Sequence, residues 1–168
     1  MKNIGRVALE GFTLLVSFIL VVDAGAKEKK ITKKDVPPAV ISAFTKAYPK
    51  AVVKGYSTET ENGMTSYEVE SMQGKMSLDV SYLADGTATE IEEGVPAKDL
   101  PDQVLKAVKT AYPHGNITRA EKKTTGTVVT YELRIKTGKT HAGMEIDPSG
   151  KIITHSKSSA KNDGEDED

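Results

Sequence analysis

The chain repeats itself. Displaced by 64 positions, Lys34 to Gly86 aligns without a gap on Lys98 to Gly150, and 14 of the 53 pairs are identical. Tyr48-Pro49 returns as Tyr112-Pro113, Tyr67-Glu68 as Tyr131-Glu132, Gly74-Lys75 as Gly138-Lys139, and Gly86 as Gly150. Val40, Ala43 and Ala47 return as Val104, Ala107 and Ala111. Self-similarity at a fixed period means one supersecondary unit built twice. A unit this small buries too little of its surface to be comfortably stable alone. Two copies that share an interface, or one continuous sheet, remove that difficulty.

Each copy opens with a helix. Val40, Ala43, Phe44, Ala47 and Tyr48 recur at helical spacing, as do Val104, Ala107, Val108, Ala111 and Tyr112. Pro37 and Pro101 suit the opening turn, and Asp35 and Asp99 stand where a carboxylate can cap free N–H groups. Pro49 and Pro113 end each helix, because the residue before proline is pushed out of the helical region. Strands follow. Val129, Tyr131, Leu133 and Ile135 alternate with Thr130, Glu132, Arg134 and Lys136, the pattern of a strand buried on one face. In the first copy Tyr67 and Val69 point inward against Glu68 and Glu70. Met76, Leu78, Val80 and Tyr82 alternate with Ser77, Asp79 and Ser81. Asn62-Gly63, Asp85-Gly86 and Ser149-Gly150 read as tight turns. Further short strands lie near 51–60, 87–92, 116–124 and 151–156. The expected fold class is α+β: two tandem repeats, 32–94 and 95–156, each a helix packed on a four-stranded antiparallel sheet. The linker 93–97 is short, so the repeats should touch.

Residues 1–26 stand apart as a signal peptide. Lys2 and Arg6 precede the apolar run Gly11 to Val22, and Ala24-Gly25-Ala26 supplies the small-x-small cleavage pattern. A spanning helix needs roughly 20 apolar residues, so this run is short for an anchor; an uncleaved anchor is the alternative. Export places the chain in a periplasmic or secreted location. At the other end, 157–168 (KSSAKNDGEDED) carries two lysines against five carboxylates and no apolar period, and reads as a disordered acidic tail.

Several function classes are disfavoured. The chain has no cysteine, which removes disulfides, thiolate catalysis and Cys-based zinc sites. A net charge of -1 offers no basic surface for nucleic acid. No G-x-S-x-G elbow, P-loop or G-x-G-x-x-G occurs. His114, His141 and His155 have no counterparts in the first copy. A metal centre would need them to converge with a carboxylate; His141 and His155 could meet across one hairpin, but surface histidines are the simpler reading. Glu68 and Glu132, the repeated carboxylates, read as solvated. No cofactor is expected.

The runs VPPAVISAFTKAYPKA, NGMTSYEVE and ADGTATEIE, followed by LPDQVLKAVKTAYP, TYELRI and DPSGKI, resemble two copies of the PepSY-like domains related to beta-lactamase-inhibitor protein. The resemblance spans nearly all of 32–155. It implies an exported bacterial α+β protein of tandem helix-on-sheet modules that binds or inhibits rather than catalyses. One departure argues against beta-lactamase inhibition itself. An inhibitor of that type is expected to present an aromatic-rich sheet face. Here there is no Trp, the only Phe after residue 26 is Phe44, and Tyr48, Tyr67, Tyr82, Tyr112 and Tyr131 fall at core positions; Tyr56 is unplaced.

The expected outward face is polar instead. Glu68, Glu70 and Asp79 belong to the first copy, and Glu132, Arg134 and Lys136, with Glu145, to the second. These residues are the candidate surface for an envelope or secreted protein partner. A small-ligand or cation binder is the alternative. Cleavage after Ala26 is directly testable: mass spectrometry of the exported protein should give an N-terminus at Lys27, and an intact Met1 on a membrane-bound form would refute it.

Overall fold

The computed structural model describes residues 28–61 and 63–158, so the expected signal peptide and residues 159–168 lie outside it. The order is β1 (Lys29–Ile31), α1 (Pro38–Ala47), β2 (Val52–Glu61), β3 (Met64–Gln73), β4 (Met76–Tyr82), β5 (Ala88–Gly94), α2 (Asp102–Ala111), β6 (Asn116–Thr125), β7 (Val128–Thr137), β8 (Thr140–Ile146) and β9 (Ile152–Ser158). All nine strands form one antiparallel sheet in sequence order. The repeat is kept in detail. The two helices, β2–β5 and β6–β9, and the bulges at Val53/Gly55 and Ile117/Arg119, all recur at the 64-residue displacement.

Several features differ from the sequence reading. A strand precedes α1: β1 pairs with β2 as the end of β5 pairs with β6. Three residues are too few to show a period. Glu93 and Gly94 are not linker but sheet, paired to Lys122 and Glu121. The junction is therefore a hydrogen-bonded ladder, extended by Val95 N–H donating to the Ala120 carbonyl at 2.8 Å. At the other end β9 continues through Lys157 and Ser158, beyond the expected start of the tail.

Each helix closes its own apolar core against one face of the sheet. Val40 and Phe44 meet Val69, Leu78, Val80 and Tyr82 under α1. Val104 and Val108 meet Leu133, Ile135, Met144 and Ile146 under α2. Tyr67 and Tyr131 pack at the margins of these cores, as do Tyr48, Tyr112 and Tyr56. The helix starts differ from expectation: Pro37 and Pro101 are the N-caps, without a side-chain hydrogen bond. Asp35 instead accepts from Thr32 N–H at 3.0 Å and closes a 3-10 turn at Lys33–Asp35.

The turn after β4 must be glycine for two reasons. Gly86 has φ +88, and a Cβ there would lie 2.8 Å from the Ala39 carbonyl oxygen of α1. Gly150 repeats both features, with φ +89 and 2.7 Å to the Gln103 oxygen. Gly74, at φ +66, has nothing within 4 Å. Gly86→Ala and Gly150→Ala should each lower stability by roughly 2–3 kcal/mol, while Gly74→Ala carries only the backbone strain of about 1 kcal/mol. Urea unfolding checks this, and equal losses at all three sites would contradict the close approach of turn to helix.

Candidate functional site

Strand alternation sends every second side chain to the face away from the helices. Glu68, Glu70, Asp79, Glu132, Arg134 and Lys136 all stand on that open face, because their neighbours Val69, Val80, Leu133 and Ile135 are the buried core. The ladder sets Glu70 beside Asp79, Asp79 beside Glu92, and Glu92 beside Lys123. Glu121 stands beside Glu132, and Glu132 beside Glu145. Asp79 and Glu132 thus converge on the junction of the repeats. Glu68 and Glu70 lie in the first repeat. Arg134 and Lys136 are exposed in the second, paired in register with Arg119 and Asn116.

The face is less solvated than the sequence implies, and here the expectation for Glu68 and Glu132 is corrected: both are partly buried. Polar side chains crowd one another across neighbouring strands, so Glu121 is only 6% exposed. Ser57 Oγ donates to Glu68 at 2.8 Å. Gly55 leaves room for Glu70, whose Oε2 would lie 2.9 Å from a Cβ there. Glu70 Oε1 is buried without a hydrogen-bond partner among the described residues, and the Lys30 ammonium lies 3.8 Å from it. Asp79 accepts from the Ser71 N–H at 3.0 Å.

Contacts across the junction are polar. Ser77 Oγ donates to Glu121 at 3.0 Å, and Thr125 Oγ1 donates to Glu90 at 2.9 Å. Arg119 Nη2 lies 2.5 Å from Glu121 Oε1. Lys123 Nζ lies 2.8 Å from Glu132 and 3.7 Å from Glu90. The residues the sequence reading missed are Glu90, Glu92, Arg119, Glu121 and Lys123. Their strands have no clean alternation, so periodicity alone could not assign their faces; register with β4 and β7 does.

Electrostatics follow from this crowding. Burial raises the pKa of Glu92 to about 7, helped by Glu132, Glu90 and Glu121. Burial also raises Glu68, opposed by the Ser57 hydrogen bond and reinforced by Asp79, Glu28 and Glu70. Asp79 is raised chiefly by burial. Burial disfavours the Lys123 ammonium, but its hydrogen bond to Glu132 and the fields of Glu90, Glu132 and Glu145 more than offset this and raise its pKa.

Two groups of carboxylates bring oxygens within 4.8 Å of one another: Glu28, Glu68 and Glu70, and Asp79, Glu92 and Glu121. Such oxygens are donors for hard cations, although Arg119 already pairs with the second group. Neither group contains a histidine. His141 stands on the open face opposite Lys136, while His155 is paired with Met144 and its ring meets the Tyr112 hydroxyl. The two histidines do not converge.

A helix-on-sheet unit built twice, with one sheet face left open, defines a class of tandem-module proteins. Residues 22–78 and 65–154 each match the family provisionally described as beta-lactamase-inhibitor-like, PepSY-like, and the chain belongs to that family. Solved structures carry the same fold. A Bacteroides eggerthii protein provisionally assigned to the periplasm aligns with TM-score 0.62 at 13% identity, over 73% of this chain and 88% of that one. A DUF2874 family protein from Bacteroides ovatus aligns with TM-score 0.59 at 18% identity, over 77% and 93%. A BLIP-like protein from Bacteroides fragilis aligns with TM-score 0.56 at 16% identity, over 77% and 91%. No curated protein sequence matches the chain.

The Glu92 shift fixes a sign. Its ordinary value is 4.5 and its folded value about 7, so the folded chain holds a proton that the unfolded chain has lost. Stability should fall as pH rises between these values. Glu92→Gln should raise stability at about pH 8 by roughly 1–2 kcal/mol after solvent screening, and flatten the dependence. Urea midpoints across pH check it; a wild-type midpoint that climbs through this window would be the wrong sign.

Proposed function

We propose that the protein is an exported, non-enzymatic binding module whose two repeats, 32–94 and 95–156, act as one surface against an envelope or secreted protein. The observation that carries this reading is the open face of the nine-stranded sheet, unbroken across both repeats and lined by charged side chains. A broad sheet face of this kind suits a protein partner. Its charges are unequal, acidic at Glu68, Glu70 and Asp79 and mixed at Glu132, Arg134 and Lys136. Electrostatic complementarity of that sort governs on-rate and selectivity and weakens with salt. The family's description and the BLIP-like neighbour are consistent with binding or inhibition. For location, the support is the N-terminal signal pattern together with the neighbour assigned to the periplasm. No helix among the described residues is long and apolar enough to cross a membrane. The two carboxylate groups favour a second reading, a small-cation binder, which a thermal-shift screen with divalent cations addresses.

The test is charge reversal on the open face. A variant carrying E68K, E70K, R134E and K136E should fold and lose partners captured by crosslinking in the native envelope. Reversing Lys46 and Lys109, on the helices, should leave capture intact. Unchanged capture by the folded open-face variant would refute the assignment of this face.

A further inference from the structure

At the 64-residue displacement β9 is the counterpart of β5, but the two strands have different neighbours. β5 is covered on its outer side by β6. β9 ends the sheet, with no strand beyond it among the described residues. The difference shows in exposure: Thr89–Glu92 are half-buried, whereas their counterparts Ile153–Ser156 are all exposed. Ile152 and Ile153 are 40% and 47% exposed. The bulge of this strand lies near its start, opposite Glu145/Ile146, so Thr154–Ser158 pair with β8 without interruption. The junction tells where the free backbone groups point. Val95 N–H donates to the Ala120 carbonyl, so by strand alternation Glu93 and Ile91 also turn their N–H and C=O groups toward β6. Their counterparts are Lys157 and His155. The N–H and C=O groups of these two therefore point away from β8, into the space that β6 fills in the first repeat.

The opposite edge of the sheet is closed by comparison. β1 is three residues long and carries Lys29 and Lys30. It lies on Ser57 and Thr58 as the end of β5 lies on their counterparts Glu121 and Lys122. Shortness and lysines are common means of blunting an edge against further pairing. β9 is seven residues long, and from Ile152 to Ser156 it carries no proline, lysine or carboxylate; its one lysine, Lys157, is next to its end. Beside it, Ile152 lines an open groove of about 370 Å³ with Ala107 and Ala111 of α2.

We infer that β9 is a dimerisation edge: two copies of the chain pair β9 to β9, antiparallel about a two-fold axis, and their sheets become one. The junction of the repeats is the precedent, since there the counterpart of β9 takes an antiparallel strand. A head-to-tail contact with β2 of another copy is obstructed by β1, which already holds Tyr56 to Thr58. β9 is the edge left, and a two-fold axis lets it meet itself and closes the assembly at two. Its sequence suits self-pairing. Like charges directly opposite destabilise a ladder, and a register centred on Thr154, His155 or Ser156 sets no lysine against a lysine. Pairing also covers Ile152 and Ile153, apolar surface that a lone copy leaves in water. The open face stays free in such a dimer, and the inference does not rest on that face being a contact surface.

The experiment is analytical ultracentrifugation of the whole exported protein at physiological ionic strength, up to millimolar concentration. Wild type should sediment as a monomer–dimer equilibrium. His155→Pro removes an outward N–H from each copy and leaves the β8 side of the ladder intact, the placement in which an edge strand tolerates proline. It should weaken dimerisation at least about tenfold, the scale of two lost main-chain hydrogen bonds. His155→Ala loses the same ring, with its contact to the Tyr112 hydroxyl, but keeps the N–H. It should stay within about threefold of wild type, as should Lys30→Pro on the opposite edge, a site that shares no partner with β9. Ile153→Lys places a lysine on the exposed edge without touching the backbone and should weaken the dimer as the proline does. Circular dichroism checks that each variant is folded; should H155P not fold, I153K against H155A decides. A wild type that stays monomeric throughout, a dimer that survives both I153K and H155P, or equal losses in H155P and H155A would each overturn the inference. So would a loss in K30P as large as that in I153K.

Discussion

The ladder between β5 and β6, running from Glu90–Thr125 to Gly94–Glu121, joins two bodies that each enclose a separate apolar core. On the open face the side chains along that ladder are carboxylates, hydroxyls, an ammonium and a guanidinium. Backbone pairing sets their spacing, and their charges then have to be balanced at that spacing. Glu121 is balanced by Arg119 and Ser77, and Glu132 by Lys123. Glu92, between Asp79 and Lys123 in register, is the group left most reluctant to ionise.

The duplication makes the molecule its own comparison. The helix side is conserved in kind between copies: a valine buried on each helix, Val40 and Val104, a tyrosine ending it, a glycine turn pressed against its first turn. Close packing punishes change there, since each altered methylene strains or empties a core. The open side has diverged. At the 64-residue displacement Gly55 is replaced by Arg119, Glu59 by Lys123, Glu70 by Arg134, and Asp79 by Gly143. Packing tolerates such changes, because these side chains fill no core. Two surfaces of unlike charge on one rigid sheet are the result.

Much of the helix side was legible in the sequence, because period and punctuation act locally. Val40 and Phe44, Tyr-Pro at each helix end, and the alternation from Val129 to Lys136 each name their own element. Less could be read where an element depends on a distant partner. β1 exists because β2 offers it an edge, and nothing in Lys29–Ile31 alone requires a strand. Lys122 and Lys123 are adjacent and chemically alike, yet they point to opposite faces; only the pairing of Glu93 with Lys122 and Glu92 with Lys123 tells them apart. The half-burial of Glu68 and Glu132 was likewise invisible, since it comes from neighbours on other strands. Among the candidate residues, face was readable for all six, but proximity was readable for none.

Sharing β5 has a consequence for any ligand. Glu92 lines two grooves of the open face, one with Glu59, Glu68 and Glu90 and the other with Glu121, Glu132 and Glu145, and the Glu90 carboxylate lies 3.7 Å from Lys123. A cation entering the groove lined by Glu59 and Glu68 therefore meets Glu90, one of the two carboxylates beside Lys123. It favours the ionised form of Glu92, and it competes with Lys123 for Glu90. Occupancy of one groove and protonation at the junction are in this way linked terms, each shifting the other by the same free energy. The coupling needs no moving part, because one strand belongs to both repeats.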